Sequence, residues 1–413
     1  MANTALKSLK ESIIRGSIPD ILEETMRLSI EKDASDIHIE PRKNNVELRL
    51  RVDGVLHHIV EYPRNLHPGI ISKTKLMANL KIDESRIPQD GRITTWIGDK
   101  EVDLRISTLP TVNGEKIVMR VLDKSKKIPT LSKLGLEGIN YKRFLEAIKQ
   151  PNGIILTSGP TGSGKTTTMY SALSHINSPE VNIMTLEDPV ENQMDGLNQS
   201  QMRPLIGYSF ANGLRTSLRQ DPDIIMVGEI RDKETIEIAI EASLTGHLVL
   251  STIHTNSSVE TITRILNMKI PDFLVTASVN LVIAQRLARR LCSQCKIKRK
   301  PSAGALAKIK EAFEIFTPPK DLDMSIFKDP IFYVAKKDGC THCEGIGYKG
   351  RIGLFEVLSM SDSIKKAILS EMPSMEIQKI AQKEGMTTLE QDGIIKVLQG
   401  ISSIEEVYKL VKE

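Results

Sequence analysis

Several things are scarce in this chain, and each scarcity removes a class of protein. Nowhere in its 413 residues is there a run near the ~20 consecutive apolar residues that a membrane-spanning helix needs. The opening MANTALKSLKESIIRGS lacks the apolar core of a secretory signal, so the expected location is the cytosol. Charge of one sign is also scarce: 56 basic against 52 acidic residues leave a net +4, without the excess of a dedicated nucleic-acid binder. Aromatic residues make up 4%, beside 40% hydrophobic and 26% charged, which is a soluble globular balance and neither a disordered nor a fibrous one. There is no solenoid-period repeat and no low-complexity tract. Cysteine is limited to four, spent as two identical pairs: Cys292 and Cys295 in RRLCSQCKIKRK, Cys340 and Cys343 in DGCTHCEG. Thiols in a reducing compartment rarely form structural disulfides, so metal ligation and redox chemistry both stay open for these pairs.

The length is roughly two to three times that of a typical domain, which predicts at least two. Apolar residues near helical spacing predict a helix from Pro19 to Asp33. In NVELRLRVDG, Val46, Leu48, Leu50 and Val52 alternate with charged residues, predicting a half-buried strand that ends at an Asp53-Gly54 turn. A helix is expected over His67 to Leu80, then strands broken at Gly98-Asp99 and Asn113-Gly114. The expected organisation is a leader (1–18), a small α+β domain (19–122) and a charged, Pro- and Gly-punctuated linker (123–136). From Gly153 the runs GIILTSG, VNIMTLED, DIIMVGEI and HLVLSTIH are separated by helix-length sequence, predicting a largely parallel sheet in an α/β domain over 137–287. A cysteine module (288–350) and a helical tail (351–413) follow.

Gly159-Pro160-Thr161-Gly162-Ser163-Gly164-Lys165-Thr166 is a full G-x-x-x-x-G-K-S/T phosphate loop, placed after a predicted strand and before a predicted helix. In such a loop, glycines let backbone N–H groups, here through Thr167, curl around phosphate oxygens. The lysine reaches the terminal phosphates, and the hydroxyl of Thr166 ligates magnesium. A chance Gly-rich turn would not also place Lys-Thr at a helix start.

Phosphoryl transfer also needs a carboxylate at the end of a neighbouring strand. Glu229 ends DIIMVGE in the place of the usual Asp; Glu187 and Asp188 end NIMTLED, where catalytic and structural readings stand even. His247 and His254 flank the run LVLSTI and could sense the terminal phosphate or serve as structural groups.

In this order GPTGSGKTTT, TLEDPVE, LRQDPDIIMVGEIRD and TGHLVLSTIHTN resemble the phosphate loop, Asp box, Walker B and His box of the secretion ATPases, the hexameric motors of type II secretion and type IV pilus assembly. The resemblance continues through ASDIHIEP, RIPQDGRI and VDLRISTLPT upstream and AQRLARRLC and GMTTLEQDGI downstream, so it covers nearly the whole chain from Pro19. It implies a RecA-like P-loop ATPase domain preceded by a small α+β, PAS-like domain that swings over the nucleotide. It also implies ATP and Mg2+ as cofactors, a homo-hexamer, an inner-membrane platform protein as partner and peripheral association with that membrane. Carried over by position, Glu187 acts with the attacking water, Glu229 supports magnesium and water, and His247 couples the site to neighbouring subunits. Arg86, Arg92 and Arg105 become candidates for neutralising phosphate charge, against a reading as solvated strand-face charges.

The resemblance also gives the cysteines a reading: a closed, structural Zn2+ site of Cys292, Cys295, Cys340 and Cys343, although the 44 residues between the pairs exceed compact ribbon spacing. Assembly motors of this family carry such a module and retraction motors do not, so assembly is expected. Assembly motors often have a further N-terminal docking domain; the short leader here reads as a remnant helix, a shorter natural form or a surface tail. Two other functions compete with this one, a RecA-like motor for DNA uptake or other nucleic acid and a nucleotide-binding scaffold without turnover. The short basic strip Lys296–Lys300 supports the first weakly, so nucleic acid is not an expected partner. The intact Glu187 and Glu229 oppose the second.

Overall fold

Gly16 takes a positive φ of 69° and Ser17-Ile18-Pro19 restarts the chain, so the N-terminal segment forms two helices, α1 (Ala2–Arg15) and α2 (Ile18–Glu31). The structure is a computed structural model that describes residues 2–123, 127–318 and 322–411, with side chains from residue 5. Met1 of the expected leader, 124–126 of the linker, 319–321 of the cysteine module and 412–413 of the tail lie outside the described residues. The chain divides into two compact units, Met1–Lys127 and Ile128–Glu413.

In the first unit, β1 (Asp36–Pro41), β2 (Asn45–Val52) and β3 (Val55–Pro63) precede α3 (His67–Met77). The hairpins β4 (Gln89–Ile97), β5 (Lys100–Thr111) and β6 (Gly114–Asp123) follow. Asp53 and Gly54, with φ of 49° and 84°, close the tight turn that the sequence predicts, with Val52 opposite Val55. The strands form one sheet in the order β3-β2-β1-β6-β5-β4. Ile37, Ile39, Leu48, Leu50, Leu104 and Met119 bury one face under Leu22, Met26 and Ile70, at roughly 1.5–3 kcal/mol for each large side chain. Ala5 and Leu9 of the leader belong to the same core, so α1 is a seated helix here.

The other face of this sheet is charged. Glu40 is its hub, accepting from Arg42 and Arg49 at 2.7 Å each and pairing with Lys116 at 2.7 Å.

The second unit alternates as expected: α4 (Gly138–Ile148), β7 (Gly153–Ser158), α5 (Lys165–Ile176), β8 (Ile183–Glu187), β9 (Leu197–Gln201), α6 (Phe210–Ser217), β10 (Ile224–Val227), α7 (Lys233–Leu244), β11 (Leu248–Ile253), α8 (Ser258–Asn267), α9 (Asp272–Ser278) and β12 (Val279–Leu291). Then come β13 (Ile297–Arg299), α10 (Ala303–Ala312), α11 (Ser325–Lys328), β14 (Phe332–Val334), β15 (Tyr348–Ser359) and the tail helices α12 (Asp362–Leu369), α13 (Ser374–Lys383), α14 (Leu389–Leu398) and α15 (Ile404–Val411). The central sheet runs β15-β12-β7-β11-β10-β8-β9, parallel except for β15, which returns antiparallel against β12. Its strands β7, β10 and β11 are buried on both faces, as their unbroken apolar runs require. The expected boundaries at 287/288 and 350/351 fall inside β12 and β15, because these two long strands carry the sheet straight into the cysteine region.

Candidate functional site

Parallel pairing sets which residues meet. Ser158 of β7 lies opposite Ile253 of β11, Ser251 of β11 opposite Val227 of β10, and Val227 opposite Leu186 of β8. The residues that follow, Gly159, His254, Gly228-Glu229 and Glu187-Asp188, therefore emerge together at the carboxyl edge of the sheet, where α/β folds bind ligands.

The phosphate loop wraps from Gly159 to the start of α5. Gly159, Gly162 and Gly164 have φ of 147°, 79° and 87°, and Gly164 is the residue before the helix. A Cβ on Gly159 would lie 2.5 Å from the Gln285 carbonyl oxygen. Lys165 is buried, and its ammonium donates to the carbonyls of Gly159 at 2.7 Å and Pro160 at 3.1 Å. Burial holds its pKa below the ordinary lysine value, while Glu229 opposes this and Arg286 adds to it. Pro160, Thr161, Gly162, Thr166 and Thr167 are exposed; the Ser163 hydroxyl is buried without a partner, aside from any ligand.

Glu229 is bonded by Arg231 and lies 3.3 Å from His254 Nε2. Glu187 is buried deeper, accepting from the Tyr170 hydroxyl, from Thr185 Oγ1 at 2.6 Å and from Gln199 Nε2 at 3.0 Å. Burial and the Glu187 charge raise the Tyr170 pKa, so the phenol stays a donor. A cleft of about 460 Å³ opens beside the loop between Gly159, Pro160, His254, Asn256 and the face of α8 carrying Glu260 and Arg264.

One candidate of the second unit lies at the opposite edge of the sheet. His247 precedes β11 at the amino edge of the sheet, where its carbonyl accepts from Gly153 N at 3.2 Å and its Nδ1 lies 2.9 Å from Ala242 O. The six-residue strand between the two histidines separates them by about 20 Å. Arg86, Arg92 and Arg105 belong to the first unit. Arg86 forms a two-point pair with Glu84, Arg92 donates to Asp103 at 2.5 Å, and Arg92 lies opposite Arg105 in the β4-β5 register. Motif reading passed over two residues under the loop, although they stand in AQRLARRLC: Gln285, which accepts from Thr168 at 2.8 Å, and Arg286, which donates to Asn256 Oδ1 at 3.2 Å.

The four cysteines meet. All four Sγ atoms lie within 4.8 Å of one another, with 3.7 Å for Cys292–Cys340, 3.7 Å for Cys295–Cys343 and 3.8 Å for Cys340–Cys343, a cluster able to hold a metal ion. Burial pushes the Cys343 thiol up, but the N–H groups of Cys340 and Gly347, each donating at 3.2 Å, outweigh it and bring the pKa to about 6.

The family described as "Type II/IV secretion system protein" matches residues 11–409. The type IV pilus assembly ATPase PilB of Thermus thermophilus is 46% identical over 386 residues, covering 94% of this chain and 42% of that protein. The type II secretion system ATPase E of Vibrio cholerae is 45% identical over 385 residues, covering 93% of this chain and 73% of that one. The chain thus spans less than half of the first relative and about three quarters of the second. Among solved structures, that of the pilus retraction motor PilT with bound ADP superposes with a TM-score of 0.61 at 26% identity, covering 95% or so of each chain (94% here, 96% there). The chain belongs to the type II/IV secretion system protein family.

Proposed function

We propose that this chain is an ATP-hydrolysing motor that powers type IV pilus assembly or type II secretion. The observation that carries the reading is the meeting of a complete phosphate loop with Glu229 and His254 at one sheet edge. Relatives named as ATPases of both systems, and a related motor solved with ADP, support it.

In this reading the N–H groups from Thr161 to Thr167 cradle the phosphates and Lys165 turns from the loop carbonyls to the terminal ones. The unpartnered Ser163 hydroxyl and the exposed Thr166 fit this, and Thr166 is the residue that would hold Mg2+. When bound, magnesium neutralises charge on the transferring phosphoryl group. Glu229 orients a water and takes its proton as the water oxygen bonds to the γ-phosphorus and the bond to the bridging oxygen breaks, giving ADP and phosphate. Glu187, which the resemblance assigns to the attacking water, has its oxygens held by three donors, so in this reading it fixes the neighbouring strand end and Glu229 takes that part.

Zn2+ fits the cysteines, since four thiolates about 2.3 Å from a central ion lie about 3.8 Å apart; three of the observed separations are 3.7–3.8 Å and all lie within 4.8 Å. The cysteine cluster favours assembly over retraction. A hexamer, a platform protein, and attachment to the cytoplasmic face of the inner membrane complete the proposal; the described residues contain no helix long and apolar enough to cross a membrane.

The test is magnesium-dependent ATP turnover against protein concentration, with particle mass followed alongside and Lys165→Ala as control. Specific activity should rise as hexamers form and vanish in the variant. Full turnover by a monomer would remove the ring, and turnover by Lys165→Ala would remove the site.

A further inference from the structure

One carboxylate at the level of the phosphate loop has no part in the proposed hydrolysis. Glu356 of β15 lies in register with Ala284 of β12, and Ala284 with Ser158 of β7, one residue before Gly159. Glu356 is 4% exposed, and among the described residues no lysine or arginine pairs with it. Its Oε1 accepts from the backbone N–H of Ser258 at 2.8 Å and the Ser258 hydroxyl at 2.6 Å. Its Oε2 accepts from the backbone N–H of Leu389 at 3.4 Å. Ser258 and Leu389 are the first residues of α8 and α14, so two helix N-termini converge on one buried carboxylate. Burial raises its pKa and these donors oppose the rise.

The two helices face different neighbours. α8 continues the segment His254–Ser257 and lines the cleft beside Gly159 with Glu260 and Arg264. α14 packs against α15 and β15 in the C-terminal core, where Asp392 accepts from the Phe355 N–H at 2.8 Å. An apolar residue could fill the space under β15, but it would leave three donors unsatisfied and two helices unlinked. Because each oxygen is committed to a different helix, a shift of α8 either draws α14 with it or breaks a buried hydrogen bond.

We infer that Glu356 is a positioning residue that fastens the cleft segment His254–Ser258 to α14, so that the C-terminal helices respond to occupancy of the phosphate loop. This rests on the nucleotide reading above.

The experiment is hydrogen exchange on the full chain with and without Mg-ADP, comparing wild type with Glu356→Gln, whose amide must turn an N–H toward one of the two helices. In wild type, exchange should slow at 159–167, 254–267 and 389–398, the last by about fivefold. In the variant, the first two responses should persist and the third should vanish. An α14 response equal to wild type in the variant overturns the inference, as does a wild-type α14 that ignores ADP while 254–267 responds. No response at 159–167 in wild type overturns the nucleotide reading itself, and this one with it. If Glu356→Gln does not fold, Ser258→Ala, which removes only the hydroxyl donor, should weaken the α14 response by about half. An unweakened response there also overturns it.

Discussion

His254 Nε2 lies 3.3 Å from Glu229 Oε2 at the carboxyl edge of the sheet, while His247 stands at the amino edge, before the other end of the same strand. The two histidines are therefore separable by experiment. Glu229→Gln keeps shape and removes the charge, and should lower kcat by a hundredfold or about that while nucleotide binding persists. His254→Ala should lower kcat by about tenfold, and His247→Ala by less. Steady-state phosphate release measures all three; a larger fall from His247→Ala than from His254→Ala would assign the principal role to the coupling between subunits that the resemblance implies for His247.

The loop glycines should not be equivalent. Gly159→Ala puts a methyl 2.5 Å from the Gln285 carbonyl at a φ of 147°, whereas a methyl on Gly162 meets nothing within 4 Å, at a φ of 79°. Gly162→Ala should cost only its backbone strain, about 1 kcal/mol. Gly159→Ala should weaken ADP binding more, by about 2 kcal/mol or beyond, in a calorimetric titration. Equal losses would mean that Gln285 is not the obstacle.

Much of the second unit is legible in the sequence because its parallel strands announce themselves as short apolar runs, and the phosphate loop sits between one such run and a helix. β12 and β15 are harder to read. VNLVIAQRLARRL mixes arginines into an apolar run because Arg289 leaves the core to bind Glu406 at 2.7 Å, and GLFEVL hides a buried Glu356 inside what otherwise reads as a plain strand. In the first unit, alternation in NVELRLRV marks the buried face, but nothing local reveals that the opposite, charged face organises around Glu40. Likewise, the sequence names both histidines beside LVLSTI, and only the parallel pairing of β11 with β7 decides which one meets Gly159.

That charged face predicts acid sensitivity. Burial pushes the Glu40 carboxyl up, but Lys116 and Arg49 outweigh it and hold its pKa below 4.5. The stability Glu40 contributes is thus complete above 4.5 and is lost as pH falls through its lower folded value. Burial, aided by Lys116, also lowers His38 below 6.5, so protonating it opposes folding and the loss starts as pH drops under 6.5. Glu40→Gln should cost about 3 kcal/mol near neutrality, and the gap to wild type should close as pH falls below the ordinary carboxylate range and through the folded value. Hydrogen exchange of β1, corrected for intrinsic pH dependence, reads this; a gap that widens with acid would refute it.

If the four cysteines hold zinc as proposed, replacing Cys343 by Ser should release it and destabilise the second unit by about 3 kcal/mol, roughly a 10 °C fall in its midpoint. Metal analysis should give one zinc per wild-type chain and less in the variant. Four freely reactive thiols in unperturbed wild type would refute the assignment.

The cysteines sit at the neck of an excursion and not at its tip. Cys292 follows the last residue of β12, its N–H donates to Gly347 O at 3.0 Å, and Leu291 lies opposite Tyr348 where β15 begins. The chain between the pairs therefore leaves and re-enters the sheet through one clasped doorway. Lengthening or shortening that chain changes closure entropy only logarithmically, so its length weighs little on the nucleotide end of the same sheet, whereas Ile309 and the Ala312 and Ile315 carbonyls, which accept from Gln391, hold it to α14.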